Sequence, residues 1–326
     1  MQESEAPRWR SDERVRVGVS SCLLGERVRF DGGHKRDAWL TDVFGEYVEW
    51  VPVCPEVEIG MGAPRESIRL QRAGQDVRLV APKSGRDFTE EMKAFAARRA
   101  NELTDHDLVG FVFKKASPSC GIARVRIYEE NGMPGSSGPG LFSAHVMERW
   151  PILPVEEEGR LRDARLRDNF VERVFAYRRL KSLFAEHWTL GDLVAFHSAH
   201  KLTLLSHSQA AYRELGRIVA GGKGLERDEL RHLYSEKFMG TLARVATRKS
   251  HTNVLHHVMG FFKDVLGTQD RHEILRLVED YRTGLVPLVV PLTLIGHHLD
   301  RSDISYLQEQ VYLQGQPKEL KLRNEI

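Results

Sequence analysis

The stretch VRVGVSSC at residues 15–22 is a short run rich in β-branched residues that ends in a cysteine. A similar run, YVEWVPVC, occupies residues 47–54, and a third, LVGFVF at 108–113, is followed by the loop KKASPS and another cysteine. Between the second and third runs, residues 89–103 carry apolar side chains at helical spacing. Strand, loop, helix and strand in this order predict an α/β N-terminal domain with a mainly parallel, Rossmann-like sheet.

The rest of the chain has a different pattern. From Arg167 almost to the end, apolar residues recur at helical spacing, which predicts an all-α C-terminal domain. The acidic stretch EEEG at residues 156–159 is interpreted as a linker, and the Ser/Gly/Pro cluster at 132–140 as a loop. We therefore expect a flexible N-terminal tail at residues 1–12, a first domain at 13–158 and an all-helical accessory domain at 159–326.

The composition limits the class of protein. The 326 residues include 48 basic and 46 acidic side chains, a formal net charge of +2. This near-balance argues against a protein coated in nucleic acid, although it is compatible with a local basic face. The start of the chain is charged, and the longest apolar stretch, residues 285–295, is short and contains two prolines. We expect neither a secretory signal nor a membrane span, and hence a cytoplasmic, reducing location.

The cysteines are the most informative residues. There are three, Cys22, Cys54 and Cys120, which excludes a disulfide framework and a four-cysteine zinc site within one chain. Each follows the carboxyl end of a predicted strand, and those ends form the ligand-binding edge of an open parallel sheet. Whether the three thiols converge there depends on the strand order, which the spacing does not give.

Three convergent thiolates are soft ligands that favour zinc, copper(I) or an iron–sulfur cluster. A 4Fe–4S cluster normally takes four cysteines, so a set of three leaves one iron open to a substrate. Two other interpretations stay open at this point. One is a zinc hydrolase that uses the same thiols, and the other is three small buried side chains without any ligand.

Long motifs around the cysteines resemble a known family. The segments VGVSSCLLGERVRFDGGHKRD, VPVCPEVEIGMGAPRE and FKKASPSCGI look like the signature blocks of the TudS-type thiouracil desulfidases, formerly the domain of unknown function 523. Five further segments resemble the companion domain of unknown function 1722: LRDNFVERVFAYRRLKSL, VAFHSAHKLTLLSHSQAAYRELGRIVA, KSHTNVLHHVMGFFKD, EDYRTGLVPLVVPLTLIGHHL and QVYLQGQPKELKLRNEI. The resemblance covers nearly the whole chain apart from its first residues.

The resemblance implies an iron–sulfur desulfidase domain at residues 13–158. Its substrate class is a thiolated nucleobase, nucleoside or nucleotide, whose thiocarbonyl sulfur is replaced by oxygen from water and leaves as hydrogen sulfide. Residue by residue, the resemblance implies a 4Fe–4S cluster on Cys22, Cys54 and Cys120 with one open iron. The implied catalytic carboxylate is Glu56, and the implied serine is Ser117 or Ser119, of which we favour Ser117.

These residues also have ordinary structural explanations. Glu56 can pair with Arg65, and the two serines can cap the turn before Cys120. Lys114 can meet a substrate phosphate or simply be solvated. We take the candidates for substrate contact from the signature blocks: Arg29, Asp31, His34, Arg65 and Lys114.

The C-terminal domain is rich in histidine, with His197 and His200 three residues apart in one predicted helix. Three interpretations apply: histidines packed between helices, contact with tRNA through histidines and neighbouring basic residues, and a second metal site. The leading hypothesis for the whole chain is desulfidation of 4-thiouridine, 2-thiouracil or thiolated tRNA. The alternative is a non-catalytic RNA-binding or redox-sensing iron–sulfur protein.

Overall fold

The computed structural model describes residues 14–185, 187–314, 320 and 322–326. Within these residues the chain divides into two compact units, one that ends at Asp163 and one that begins at Ala164. The predicted tail at residues 1–12 lies outside the described residues. None of the described helices combines the length and the apolar character needed to cross a bilayer.

The first unit alternates strands and helices. Its strands are β1 (Val15–Ser20), β2 (Val48–Val53), β3 (Arg69–Ala73), β4 (Asp76–Val80), β5 (Gly110–Phe113), β6 (Val125–Tyr128), β7 (Pro134–Gly138) and β8 (Val155–Glu157). Its helices are α1 (Ala38–Asp42), α2 (Pro55–Glu58), α3 (Thr89–Thr104) and α4 (Leu141–Arg149).

The main sheet has the order β2-β1-β5-β8, and every pair in it is parallel. Its central strands are apolar on both faces, with Val17, Val19 and Phe111 fully buried, as strands covered on both sides require. A Cβ atom at Gly18 would lie 2.2 Å from the Phe111 ring, so a glycine is needed where β1 passes this side chain. The predicted α/β domain with a parallel sheet is confirmed.

A second sheet, with the order β4-β3-β6-β7, is mixed. Its edge strand β7 was predicted as part of a loop, and that prediction is wrong. The sequence PGSSG of β7 has low intrinsic strand preference, but β7 pairs with only one neighbour, and an edge position tolerates such residues.

The prediction that residues 156–159 form a linker is also wrong. Residues 155–157 form β8, which pairs with β5 in the main sheet, and the three glutamates at 156–158 are buried. An acidic run normally indicates a solvated segment, but here backbone amides and a basic side chain of the same unit donate hydrogen bonds to the carboxylates.

The second unit is helical, as predicted. Its helices are α5 (Ala164–Leu183), α6 (Leu190–Ala199), α7 (Lys201–His207), α8 (Gln209–Gly221), α9 (Arg227–Leu242), α10 (Arg248–Phe261), α11 (Thr268–Thr283), α12 (Val289–Leu299), α13 (Ser305–Gln308) and α14 (Val311–Gln314). One apolar core joins α7, α10, α11 and α12, with Val254, Phe262 and Ile274 fully buried.

Candidate functional site

The strand order brings the three cysteines to one edge of the main sheet. Cys22 lies in the 3-10 turn Ser21–Leu24 directly after β1, Cys54 directly precedes α2 after β2, and Cys120 lies in the loop after β5. Because β1 lies between β2 and β5, the cysteines follow three adjacent parallel strands. The chain moves from β1 to β2 on one side and reaches β5 on the other, and such a switch point is where open α/β sheets bind ligands.

The three thiols influence one another electrostatically. Burial is the main cause that raises the pKa of Cys22 to about 12, and the charge of Cys54 adds to it. Burial also raises the pKa of Cys54, and that of Cys120, which Cys22 and Cys54 raise further. Lys114 and Arg29 act in the opposite direction on Cys22. A set of buried thiolates at this edge therefore requires positive charge beside it.

Glu56 lies in the first turn of α2, two residues after Cys54, and is held from both sides. Its Oε1 accepts hydrogen bonds from the Ser119 hydroxyl at 3.0 Å and the Ser117 hydroxyl at 3.3 Å. Its Oε2 accepts from the Arg65 guanidinium, with Nε at 3.2 Å. The carboxylate also lies close enough to Cys120 to raise the pKa of that thiol. The structure thus brings together Glu56, both serines and the cysteines.

Ser117 has a second set of contacts. Its Oγ accepts the backbone N–H of Ser119 at 3.3 Å and that of Cys120 at 3.1 Å. It therefore caps the turn, as the structural explanation expects, and contacts Glu56 as well. Ser119 is fully buried, whereas Ser117 is half-buried.

The Cys120 loop is held by two glutamates that the sequence pattern assigned to a linker. The Glu158 carboxylate accepts the backbone N–H of Lys115 at 2.7 Å, and Glu157 accepts that of Ile122 at 3.1 Å. From the other side, the first amides of α4 donate to the carbonyls of residues 118 and 119, and the Gly140 N–H donates to that of Gly121. The tight fit at Gly140, where a Cβ atom would lie 2.5 Å from the Ser119 backbone, explains the glycine there.

Ser20 is another residue that sequence reasoning missed. It is buried at the end of β1, where its Oγ accepts the Lys114 backbone N–H at 3.0 Å, and its side chain hydrogen-bonds the Cys120 thiol and lowers that pKa. The pair of serines directly before Cys22 was a signal that could have identified it.

The residues predicted to contact substrate fall into two groups. Arg65 and Lys114 are largely buried and engaged: Arg65 with Glu56, and Lys114 with Glu158, whose Oε1 lies 2.5 Å from Nζ. In the loop after Cys22, Arg29 pairs with Asp31 at 3.3 Å, and Asp31 also accepts the Gly33 N–H, which chiefly lowers its pKa. His34 is exposed and accepts the N–H of Arg36 through Nδ1. Their roles toward substrate stay predictions.

Three histidines of the helical unit, His197, His200 and His251, are buried and packed between helices. His197 lies 3.2 Å from the Tyr234 hydroxyl, and His251 lies 2.8 Å from that of Tyr312. The fully buried His200 accepts from Arg179 Nε at 3.1 Å. Burial lowers the pKa of His197 to about 4 and that of His251 to about 3. These three histidines fit the first of the three interpretations.

The three cysteine thiols at the sheet edge are the donor set for the implied cluster. Across the described part of the chain, no group of three or more His, Cys, Asp or Glu side chains is arranged so that it could hold a metal ion. Ligands of a 4Fe–4S cluster each bind a different iron and need not meet at one point. Three thiols on adjacent strand ends, with raised pKa values that a positive group would offset, fit such a cluster in their chemistry.

Comparisons with known proteins agree with this picture. Residues 17–158 match the family described as 2-thiouracil desulfurase, and residues 201–317 match a protein family of unknown function, DUF1722. The uncharacterized protein YbgA of Escherichia coli (strain K12) is 34% identical over 161 residues, which are 49% of this chain and 95% of that protein. A solved structure of the [4Fe-4S]-dependent thiouracil desulfidase TudS is 31% identical, covering 47% of this chain and 97% of that one, with a TM-score of 0.38. By the two family matches and the relative of 34% identity, the chain belongs to the 2-thiouracil desulfurase family through its first unit, joined to a DUF1722 domain in its second.

Proposed function

We propose that this protein is a thiouracil desulfidase in which Cys22, Cys54 and Cys120 hold a 4Fe–4S cluster and water supplies the oxygen that replaces the thiocarbonyl sulfur. The observation that carries the proposal is the juxtaposition of three cysteines and the Glu56 carboxylate at one edge of a parallel sheet. Membership of the 2-thiouracil desulfurase family supports it, as does the similarity to a relative named for [4Fe-4S]-dependent thiouracil desulfidation.

The chemistry divides between the cluster and the chain. When bound, the cluster would supply an iron with an open position, a soft Lewis acid suited to a thiocarbonyl sulfur. Glu56 accepts a proton from water as the water oxygen attacks the ring carbon, and such general-base assistance typically contributes ~10²–10⁴-fold. That proton and the second proton of the water leave with the sulfur as hydrogen sulfide, and the oxygen stays as the new carbonyl.

The two serines have different roles in this proposal. Both hydroxyls donate to Glu56 Oε1 and so fix the orientation of the carboxylate. Because Ser119 is fully buried, Ser117 is the serine proposed to reach the water or the ring.

The test uses the full chain purified without oxygen. We expect iron and acid-labile sulfide in the protein, and sulfide release with loss of the thiocarbonyl absorbance of the substrate. Glu56→Gln should keep the iron and lower turnover by at least about 10²-fold, because it removes the general base. Glu49→Gln is the matched control, since Glu49 is an exposed carboxylate on β2, the strand that leads to the same loop.

The substrate panel runs from 2-thiouracil through 4-thiouridine and its nucleotide to thiolated tRNA. Turnover of one member identifies the substrate class, and turnover of tRNA alone would support the predicted contact with RNA. A protein that holds iron and binds RNA without releasing sulfide would instead be the non-catalytic alternative. Zinc in place of iron and labile sulfide would favour the zinc hydrolase.

A further inference from the structure

The Arg65 side chain is the most heavily engaged cation near the candidate site. It is 5% exposed, and its partner Glu56 is 14% exposed. The guanidinium donates to Glu56 through Nε and Nη2, and through Nη1 to the backbone oxygens of Val28 at 2.9 Å and Gly62 at 2.6 Å. These bonds occupy four of the five N–H donors of an arginine.

The bonds from Arg65 fix the orientation of the Glu56 carboxylate. The two Arg65 groups that bond Glu56, Nε and Nη2, both donate to Oε2. The other oxygen, Oε1, accepts from Ser117 and Ser119. The planar guanidinium therefore sets which oxygen faces the serines, and a lysine, with its single point of charge, lacks that fork geometry. A glutamate without this partner can rotate about its side-chain bonds.

Arg65 also connects two loops. Its backbone N–H donates to the carbonyl of Phe30 at 2.9 Å, and its side chain to that of Val28, so both bonds reach the loop that follows Cys22. The loop after β2, which carries Cys54 and Glu56, is thereby tied to the loop after β1. The Cys54 thiol lies 3.9 Å from the same Val28 carbonyl.

We propose that Arg65 is a positioning residue for Glu56 and not a contact for the substrate, an inference that rests on the proposed desulfidase function. The substrate-binding role expected from the sequence predicts a different result. Loss of a substrate contact raises KM, whereas loss of carboxylate orientation lowers kcat and leaves KM near its parental value. Misplacement of a catalytic group by about 1 Å can cost about 10²-fold in rate.

The experiment compares the parent protein with Arg65→Ala, Arg65→Lys and a control, Arg16→Ala. Arg16 forms an exposed ion pair with Glu49 at the opposite end of β1 from Cys22. We expect Arg65→Ala to lower kcat by about 10²-fold with KM changed less than about threefold. Added guanidinium ion should restore part of this kcat, and Arg65→Lys should lie between parent and alanine. The iron content is measured in the same samples.

Several outcomes would overturn the inference. A raised KM at parental kcat assigns Arg65 to substrate binding, and parental values of both constants leave it without a role. Failure of guanidinium to raise the kcat of an iron-containing Arg65→Ala protein argues against positioning as well. If the alanine variant loses its iron or does not fold, the Arg65→Lys variant provides the test. A lower kcat at parental KM then supports positioning, and a raised KM at parental kcat contradicts it. A parent that releases no sulfide removes the proposed function and this inference together, whereas an active parent beside a fully active Arg65→Ala removes the inference alone.

Discussion

Replacement of Glu158 by alanine should loosen the Cys120 loop. The Glu158 side chain is 10% exposed and its partner Lys114 is 15% exposed. One carboxylate oxygen lies 2.5 Å from Lys114 Nζ, and the other accepts the Lys115 N–H at 2.7 Å. In Glu158→Ala, the Lys114 ammonium would keep its hydrogen bond to the Lys115 carbonyl but lose its ion pair, and the Lys115 N–H would lose the Glu158 carboxylate as acceptor.

The loss of stability expected in Glu158→Ala follows from the burial of Glu158 and Lys114. Removal of one partner from a buried ion pair costs about 3–5 kcal/mol, and the slight exposure here favours the lower end. About 3 kcal/mol corresponds to a factor of about 10² in a local opening equilibrium. The exposed pair between Arg16 and Glu49 provides the contrast, because such pairs contribute at most about 1 kcal/mol, or about fivefold.

Hydrogen–deuterium exchange with mass spectrometry measures the local opening of the Cys120 loop. The peptides to follow cover residues 110–123 of the reduced protein without its cluster. We expect exchange about 10²-fold faster in Glu158→Ala, at most about fivefold faster in Glu49→Ala, and intermediate in Glu158→Gln, which keeps an acceptor oxygen. The pair of changes Lys114→Met and Glu158→Leu should recover part of the protection, since no charge is then left buried alone. Exchange in Glu158→Ala that matches the Glu49→Ala control would refute the role given to this ion pair.

Three further predictions concern the same chain. Ser117→Ala removes the acceptor of the Cys120 N–H and should destabilise the Cys120 loop by about 1–3 kcal/mol. We expect the variant to retain less iron after gel filtration, and full retention of iron would contradict this prediction. Gly18→Ala places a Cβ atom 2.2 Å from Phe111 and should cost about 1–3 kcal/mol, so a thermal midpoint equal to that of the parent would show that the strand can shift. Burial lowers the pKa of His251 to about 3, so the unfolded chain takes up a proton at this residue first as the pH falls below 6.5. His251 alone should therefore lower the free energy of unfolding of the helical unit by about 3 kcal/mol by pH 4.5; equal midpoints by circular dichroism at pH 7 and 4.5 would contradict this.

The sequence was most informative where structure is local. Runs such as VRVGVSSC carry both the strand and the cysteine that ends it, so the parallel sheet and the position of each cysteine at a strand end followed from residues next to one another. The apolar spacing of the second half likewise indicated helices, because helix formation depends on neighbours three and four residues away.

Predictions that depended on contacts between segments far apart in the sequence were wrong or could not be decided from the sequence. The glutamates at residues 156–158 have the composition of a solvated linker, and only the pairing of β8 with β5 shows why they are buried. Arg65 matched a family motif in the sequence, but its bonds to Glu56 and Val28 depend on how two loops fold against each other.

What the sequence alone determined is thus the set of chemical groups: three cysteines at strand ends, a carboxylate beside one of them, and a helical second half. Only the tertiary structure decided that β1 lies between β2 and β5 and so brings the three cysteines to adjacent strand ends. The reason is physical. A strand is favoured by its own residues, whereas its neighbours in the sheet are chosen by hydrogen bonding and burial among segments far apart in the chain.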